Sequence, residues 1–261
     1  MGTSGAYSGS GGKDGKAVRD AIGDYLDGLP DADAPGGSDV ERPPLDPAAL
    51  RRVINLIRPR SLGGGGGDGP GGGGGGTPGG GAGSRSGGGP QRSAAGSARS
   101  AGRAAAAAAA YRTGDTATLE RLGLDYNELR GLGDEFEVLR RIVDMACSAP
   151  DSTIEDHEQR RVAADVAEWV MEQDKDGVPL TPEEIVRQTI AAIITEALLV
   201  ESGDLVNSHD QADVAESDIR DAAEARAAQA TLSVDGATED EISRAVEAGL
   251  ETIRGIVGGG A

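Results

Sequence analysis

The chain has 261 residues, of which 43 are glycine and 2% aromatic, and it carries a formal net charge of −19. So few aromatics disfavour a sheet core and point to helices packed through Leu, Ile, Val and Ala. Cys147 is the only cysteine, which excludes an intramolecular disulfide and a thiolate metal cluster.

The charge is uneven. Residues 113–261 hold 12 Lys and Arg against 34 Asp and Glu, whereas residues 61–112 hold 5 against 1. An acidic segment of that size repels phosphate backbones, so no direct nucleic-acid binding is expected of it. A solvated acidic face is the plain reading, and docking onto a basic partner the sharper one. Met1 leads into Gly2, Thr3 and Ser4 with no apolar run of the secretory kind. The longest apolar stretch, Ile190 to Val200, is broken by Thr195 and Glu196 and is too short to span a bilayer. A soluble, cytoplasmic protein without membrane contact is expected.

Residues 1–15 read as a small, polar, glycine-rich tail that is disordered when free. A small residue after Met1 permits removal of the initiator, so Gly2 is the expected mature N-terminus. Gly15-Lys16 fails as a P-loop: Ser10 stands where the first glycine belongs, Ala17 where the hydroxyl belongs, and no strand precedes it. Residues 16–60 contain two short helices separated by a Pro/Gly loop. In the first, Val18, Ile22, Tyr25, Leu26 and Leu29 share one face, with Asp20, Asp24 and Asp27 away from it. In the second, Asp46 is the N-cap, Pro47 the first helical residue, and Leu50, Val53, Ile54 and Ile57 the apolar stripe. Two helices this short need a surface to pack on, either the C-terminal helices or a partner.

Residues 61–90 are a low-complexity glycine-rich run, expected to be a disordered linker reaching about 30 Å. Residues 91–112 switch to alanine with Arg92, Arg99 and Arg103 spaced along a helix. Small residues suit close helix packing better than nucleic-acid reading, for which aromatic interleaving is missing.

Residues 113–261 form the acidic all-helical domain. Helix starts are expected at Asp115 or Thr116, at Asp125 and at Asp134, the last placing Phe136, Leu139, Ile142, Val143 and Ala146 on an apolar face. Capping boxes are expected at Ser152-Thr153-Ile154-Glu155, at Thr181 and at Thr238, and a cap at Ser208. Val162, Val166, Trp169 and Val170 are placed inward, and the helix from Pro182 to Glu201 is expected to be the core helix. The fold class is thus all-α, a C-terminal bundle of about six helices behind a glycine-rich N-terminal region.

Catalytic patterns are thin. His157-Glu158 matches only the first pair of H-E-x-x-H, and His209 lies beside Asp210 near an expected helix start, where exposure is expected. Asp174, Asp176 and Gly177 supply a fragment of a calcium loop with the glycine too early. Cys147 sits in an apolar helical run with no histidine nearby in sequence, which fits a buried structural thiol. No catalytic residue, metal site or cofactor is assigned, and a non-enzymatic component is expected.

The Met1-Gly2-Thr3-Ser4 opening resembles the B component of the bacterial Qat anti-phage defence system. So do the glycine-rich continuation with Tyr7, the segment from Gly123-Leu124 to Asp144, Thr153-Ile154-Glu155, and Leu180-Thr181-Pro182-Glu183-Glu184. The resemblance spans most of the chain through soft motifs; the glycine-rich run is longer here, and the helix at 16–29 replaces a proline-rich stretch. It implies three partners: a QueC-like enzyme, an ATPase and a TatD-like nuclease. It also implies that Gly2 is the acceptor of a 7-deazaguanine-type modification made by the QueC-like partner, with Thr3, Ser4 and Gly5 threading into that partner's active site. The alternative is a structural or assembly adaptor that binds through its helical domain with no modification of the tail. A myristoylation reading fits poorly, because Ala6 stands where that signal wants Ser or Thr.

Overall fold

A computed structural model describes residues 12–30, 44–58, 92–147, 154–173, 180–232 and 238–258. These form ten helices and one short strand pair, so the protein is all-α. Expectations that fall on residues 1–11, on 61–90, on the start of the Ser152–Glu155 capping box and on the Asp174–Gly177 turn lie outside the described residues.

The N-terminal pair is α1 (Lys13–Asp27) and α2 (Pro47–Leu56). Val18, Ile22, Tyr25 and Leu26 bury one face of α1, while Asp20, Asp24 and Asp27 stay exposed. Asp46 caps α2 by accepting from the Ala48 amide at 2.8 Å. Of the two surfaces open to these helices, they use the C-terminal one. Both pack on α8 (Pro182–Asn207), and α2 also touches α10 (Glu239–Gly258). Polar contacts fix the docking. Arg19 pairs with Glu201 at 3.2 Å, the Tyr25 hydroxyl donates to Asp218 at 2.5 Å, and Arg254 Nη2 donates to the Ile54 carbonyl at 3.0 Å and to that of Ile57. Burying a side chain such as Ile22 contributes about 1.5–3 kcal/mol.

Two short strands follow, β1 (Ile57–Arg58) and β2 (Arg92–Ser93), paired in parallel with Ile57 opposite Arg92 and Arg58 opposite Ser93. The pairing thus holds Arg58 and Arg92, the ends of two described stretches, side by side.

Helix α3 (Ala94–Thr113) runs through the middle of the molecule. It touches α6 (Glu135–Ala146), α7 (Ile154–Gln173), α8 and α10. Ala98, Ala101, Ala104, Ala105, Ala107 and Ala108 are all fully buried on it, and small side chains let neighbouring backbones come close. A Cβ at Gly102 would lie 3.0 Å from the Glu239 backbone oxygen of α10. The other core helix is α8, which buries Ile185, Val186, Ile190, Ile194 and Leu198 and continues past Glu201 to Asn207.

Three short connections share one device. Gly114, Gly123 and Gly133 adopt φ of 72°, 85° and 68°, a left-handed conformation that glycine takes without steric penalty. They close α3, α4 (Thr116–Arg121) and α5 (Tyr126–Gly131). Asp115, Asp125 and Asp134 then open α4, α5 and α6, each accepting from an amide two or three residues on. Full capping boxes open α8 and α10: Thr181 and Glu184 exchange bonds of 2.8 and 3.3 Å, Thr238 and Glu241 bonds of 3.1 and 3.4 Å. The Thr181 amide and hydroxyl, donating to Glu184, and the Thr238 hydroxyl and amide, donating to Glu241, hold both carboxyls below the usual range.

Three expectations are corrected. Ser208 is not an N-cap: α8 runs up to it, its hydroxyl donates to the Leu205 carbonyl at 3.1 Å, and α9 (Ala212–Ala227) starts after Gln211. Phe136 is 68% exposed, because it lies in the first turn of α6, ahead of the buried stretch Val138–Ala146. His209 is half-buried rather than exposed, its Nδ1 accepting from the Gln211 amide at 3.2 Å in the turn before α9.

Candidate functional site

Gly2, Thr3, Ser4 and Gly5 lie outside the described residues, which begin at Gly12 ahead of α1. Thr181, Glu183 and Glu184, part of the sequence resemblance, act as the helix start of α8. Among the described residues no group of three or more His, Cys, Asp and Glu is placed to hold a metal ion, and His157 is exposed. Cys147 is buried at the end of α6 with its thiol 3.9 Å from the Gln159 carbonyl. Burial pushes that thiol up, against the lowering effect of Ser100, Arg160 and Arg103. A neutral, buried thiol is a poor nucleophile.

Among the described residues, clefts rich in carboxylates open on the helical body, and two bear on function. One lies where α1 meets the C-terminal part of α8. Asp20, Asp24 and Asp27 line it from α1, and Asp204 joins them from α8 beside the Arg19–Glu201 pair. Its polar groups at the base are already paired.

The other is about 330 Å³ and lies between α7, α8 and α9, within the size range of ligand pockets. Helix α7 lines it with Asp165, Glu168, Trp169 and Glu172. This i, i+3, i+4, i+7 spacing puts all four on one helical face. Helix α8 answers with Gln188, Ala191, Ala192 and Thr195 at the same spacing. The alanines are small enough to leave space between the helices. Helix α9 adds Arg220 and Glu224, one turn apart. Four carboxylates thus face one guanidinium. Burial pushes the Asp165 carboxyl up; Arg220 and Arg161 oppose this and Glu168 adds to it.

Thr195 differs from Thr113, Thr189, Ser202 and Thr252, whose hydroxyls each donate to the carbonyl four residues back, at 2.7–3.0 Å. Thr195 is 4% exposed, and its Oγ1 has no hydrogen-bond partner among the described residues. A buried hydroxyl left unpaired costs about 1–3 kcal/mol.

The helical periodicity places Trp169 inward with Val166 and Val170. In the structure Trp169 is half-buried on the cleft wall, while the valines are in the core. The available signal was the stripe itself, Asp165, Glu168 and Glu172 around the lone tryptophan. No family model matches the chain, and no curated protein and no solved structure matches it either.

Proposed function

We propose that this protein is a non-enzymatic component of an anti-phage defence assembly of the Qat type, acting in the cytoplasm. Its helical body is the docking platform, and Gly2 is the acceptor of a 7-deazaguanine-type group transferred by a QueC-like enzyme. Thr3, Ser4 and Gly5 are the residues that enzyme reads. An ATPase and a TatD-like nuclease complete the assembly.

The observation that carries this reading is the Met1-Gly2-Thr3-Ser4 opening on a glycine-rich tail. A transfer to an N-terminal amine needs a free α-amine, with a pKa of about 8, on a narrow strand poor in side chains. The tail offers that. The anchoring of α1 by Val18, Ile22, Tyr25 and the Arg19–Glu201 pair supports the division of labour, since it ties the base of the tail to the body.

The test is the intact mass of the protein co-expressed with its operon neighbours. A mass increase confined to the N-terminal peptide and abolished by a catalytically dead QueC-like partner is the expected result. An unmodified Gly2 beside an active partner rejects the acceptor role. Should the chain still co-purify with the neighbours in that case, it is an assembly adaptor alone.

A further inference from the structure

We propose that the cleft between α7, α8 and α9 is a binding site for a guanidinium group, presented as an arginine side chain by a partner protein. The assignment goes beyond the proposed modification of Gly2 and stands or falls separately from it.

The chemistry of the walls selects the ligand. Asp165, Glu168, Glu172 and Glu224 outnumber Arg220, so the cleft draws a cation. The carboxylates do not converge as a metal set among the described residues, so a compact divalent ion is not the fit. A flat, extended cation is. Trp169 offers an aromatic surface on one side, and a guanidinium stacks on such a surface while its edge donates to carboxylates. The second, independent observation is Thr195. It lines the cleft, is 4% exposed, and its Oγ1 has no partner among the described residues. An N–H donor that displaces the contacts covering that oxygen supplies the missing bond. Arginine carries five such donors in a fixed plane, enough to reach carboxylate and hydroxyl together. Asp165 adds a further pull. With its carboxyl raised by burial, an arriving positive charge favours the ionised form and is held in return.

The site carries its own reporter, because Trp169 is the only tryptophan in the chain. The experiment titrates the full-length protein with Nα-acetyl-arginine amide and follows tryptophan fluorescence. Nα-acetyl-citrulline amide is the uncharged isostere, and Nα-acetyl-lysine amide and spermidine are the ammonium controls. A saturable change is expected with the arginine probe, with the citrulline and ammonium probes at least about tenfold weaker. Thr195→Val keeps the side-chain shape and removes the hydroxyl. It is expected to weaken arginine binding about tenfold while leaving the melting temperature unchanged or higher. Glu168→Gln, at an exposed position, is expected to weaken binding without affecting folding. The proposal is overturned by the absence of a saturable response, by citrulline or spermidine binding as tightly as arginine, or by Thr195→Val and Glu168→Gln both binding as the parent does.

Discussion

Asp165 and Thr195 face the same cleft, and each is held there at a cost. For Asp165 the cost depends on pH. Burial raises its folded-state pKa above the ordinary value, so the folded protein holds that proton more tightly than the unfolded chain. Stability from this residue is therefore present at low pH and falls as pH rises from about 4 through the raised value. Arg220, Arg161 and Glu168 act on the same carboxyl, the two arginines limiting the effect and the glutamate enlarging it. Asp165→Asn is expected to flatten that part of the profile and to match or exceed the parent's stability at pH 7. Denaturant midpoints measured from pH 4 to pH 7 check this; a variant that parallels the parent across the range contradicts it.

Helices show where sequence reading succeeds and where it stops. The caps at Asp46, Asp115, Asp125, Asp134, Thr181 and Thr238 are legible because each bond spans two or three residues and needs nothing from the rest of the fold. Ser208 misleads for the same local reason: a serine hydroxyl serves the carbonyl end of one helix as readily as the amide end of the next. Phe136 and Ile256 are apolar residues in phase with their helices yet 68% and 54% exposed, since periodicity does not say how far along a helix its partner extends. The cleft was less legible still. It exists because α7, α8 and α9 meet, and none of their sequences states that meeting. Close approach is also a property of helix pairs, and it can be measured at glycine. Gly23 of α1 has open space where a Cβ would stand, so Gly23→Ala is expected to stabilise by about 0.5–1 kcal/mol. A Cβ at Gly102 of α3 would lie 3.0 Å from the backbone of α10, so Gly102→Leu is expected to destabilise by about 1–3 kcal/mol. Urea unfolding of both variants checks the pair, and a neutral Gly102→Leu contradicts the α3–α10 contact.

The molecule as a whole is acidic, and its charge works against compaction. A net charge of −19 concentrated beyond residue 113 repels itself across the helical body. Ion pairs such as Arg140–Glu137 and Arg187–Glu183 are exposed, and pairs of that kind contribute little. Screening the repulsion therefore outweighs screening the pairs. The melting temperature is expected to rise by about 2–4 °C between low and moderate salt, corresponding to about 1 kcal/mol at this chain length. Differential scanning calorimetry over a sodium chloride series checks it, and a fall with salt means that the ion pairs dominate.

The pairing of Ile57–Arg58 with Arg92–Ser93 bears on how this gene can change. With Arg58 and Arg92 held side by side, the number of residues between them does not set the distance between any two described helices. For a flexible connection, a doubling of length costs only about 0.6 kcal/mol of closure entropy. Below about a dozen residues the parallel pair itself loses its connection. Above that floor, repeat expansion and contraction in the glycine codons are close to neutral for the body. The interval between Arg58 and Arg92 is thus an insertion port: a place where the chain can acquire new sequence, or a whole new module, while α3 to α10 stay as they are.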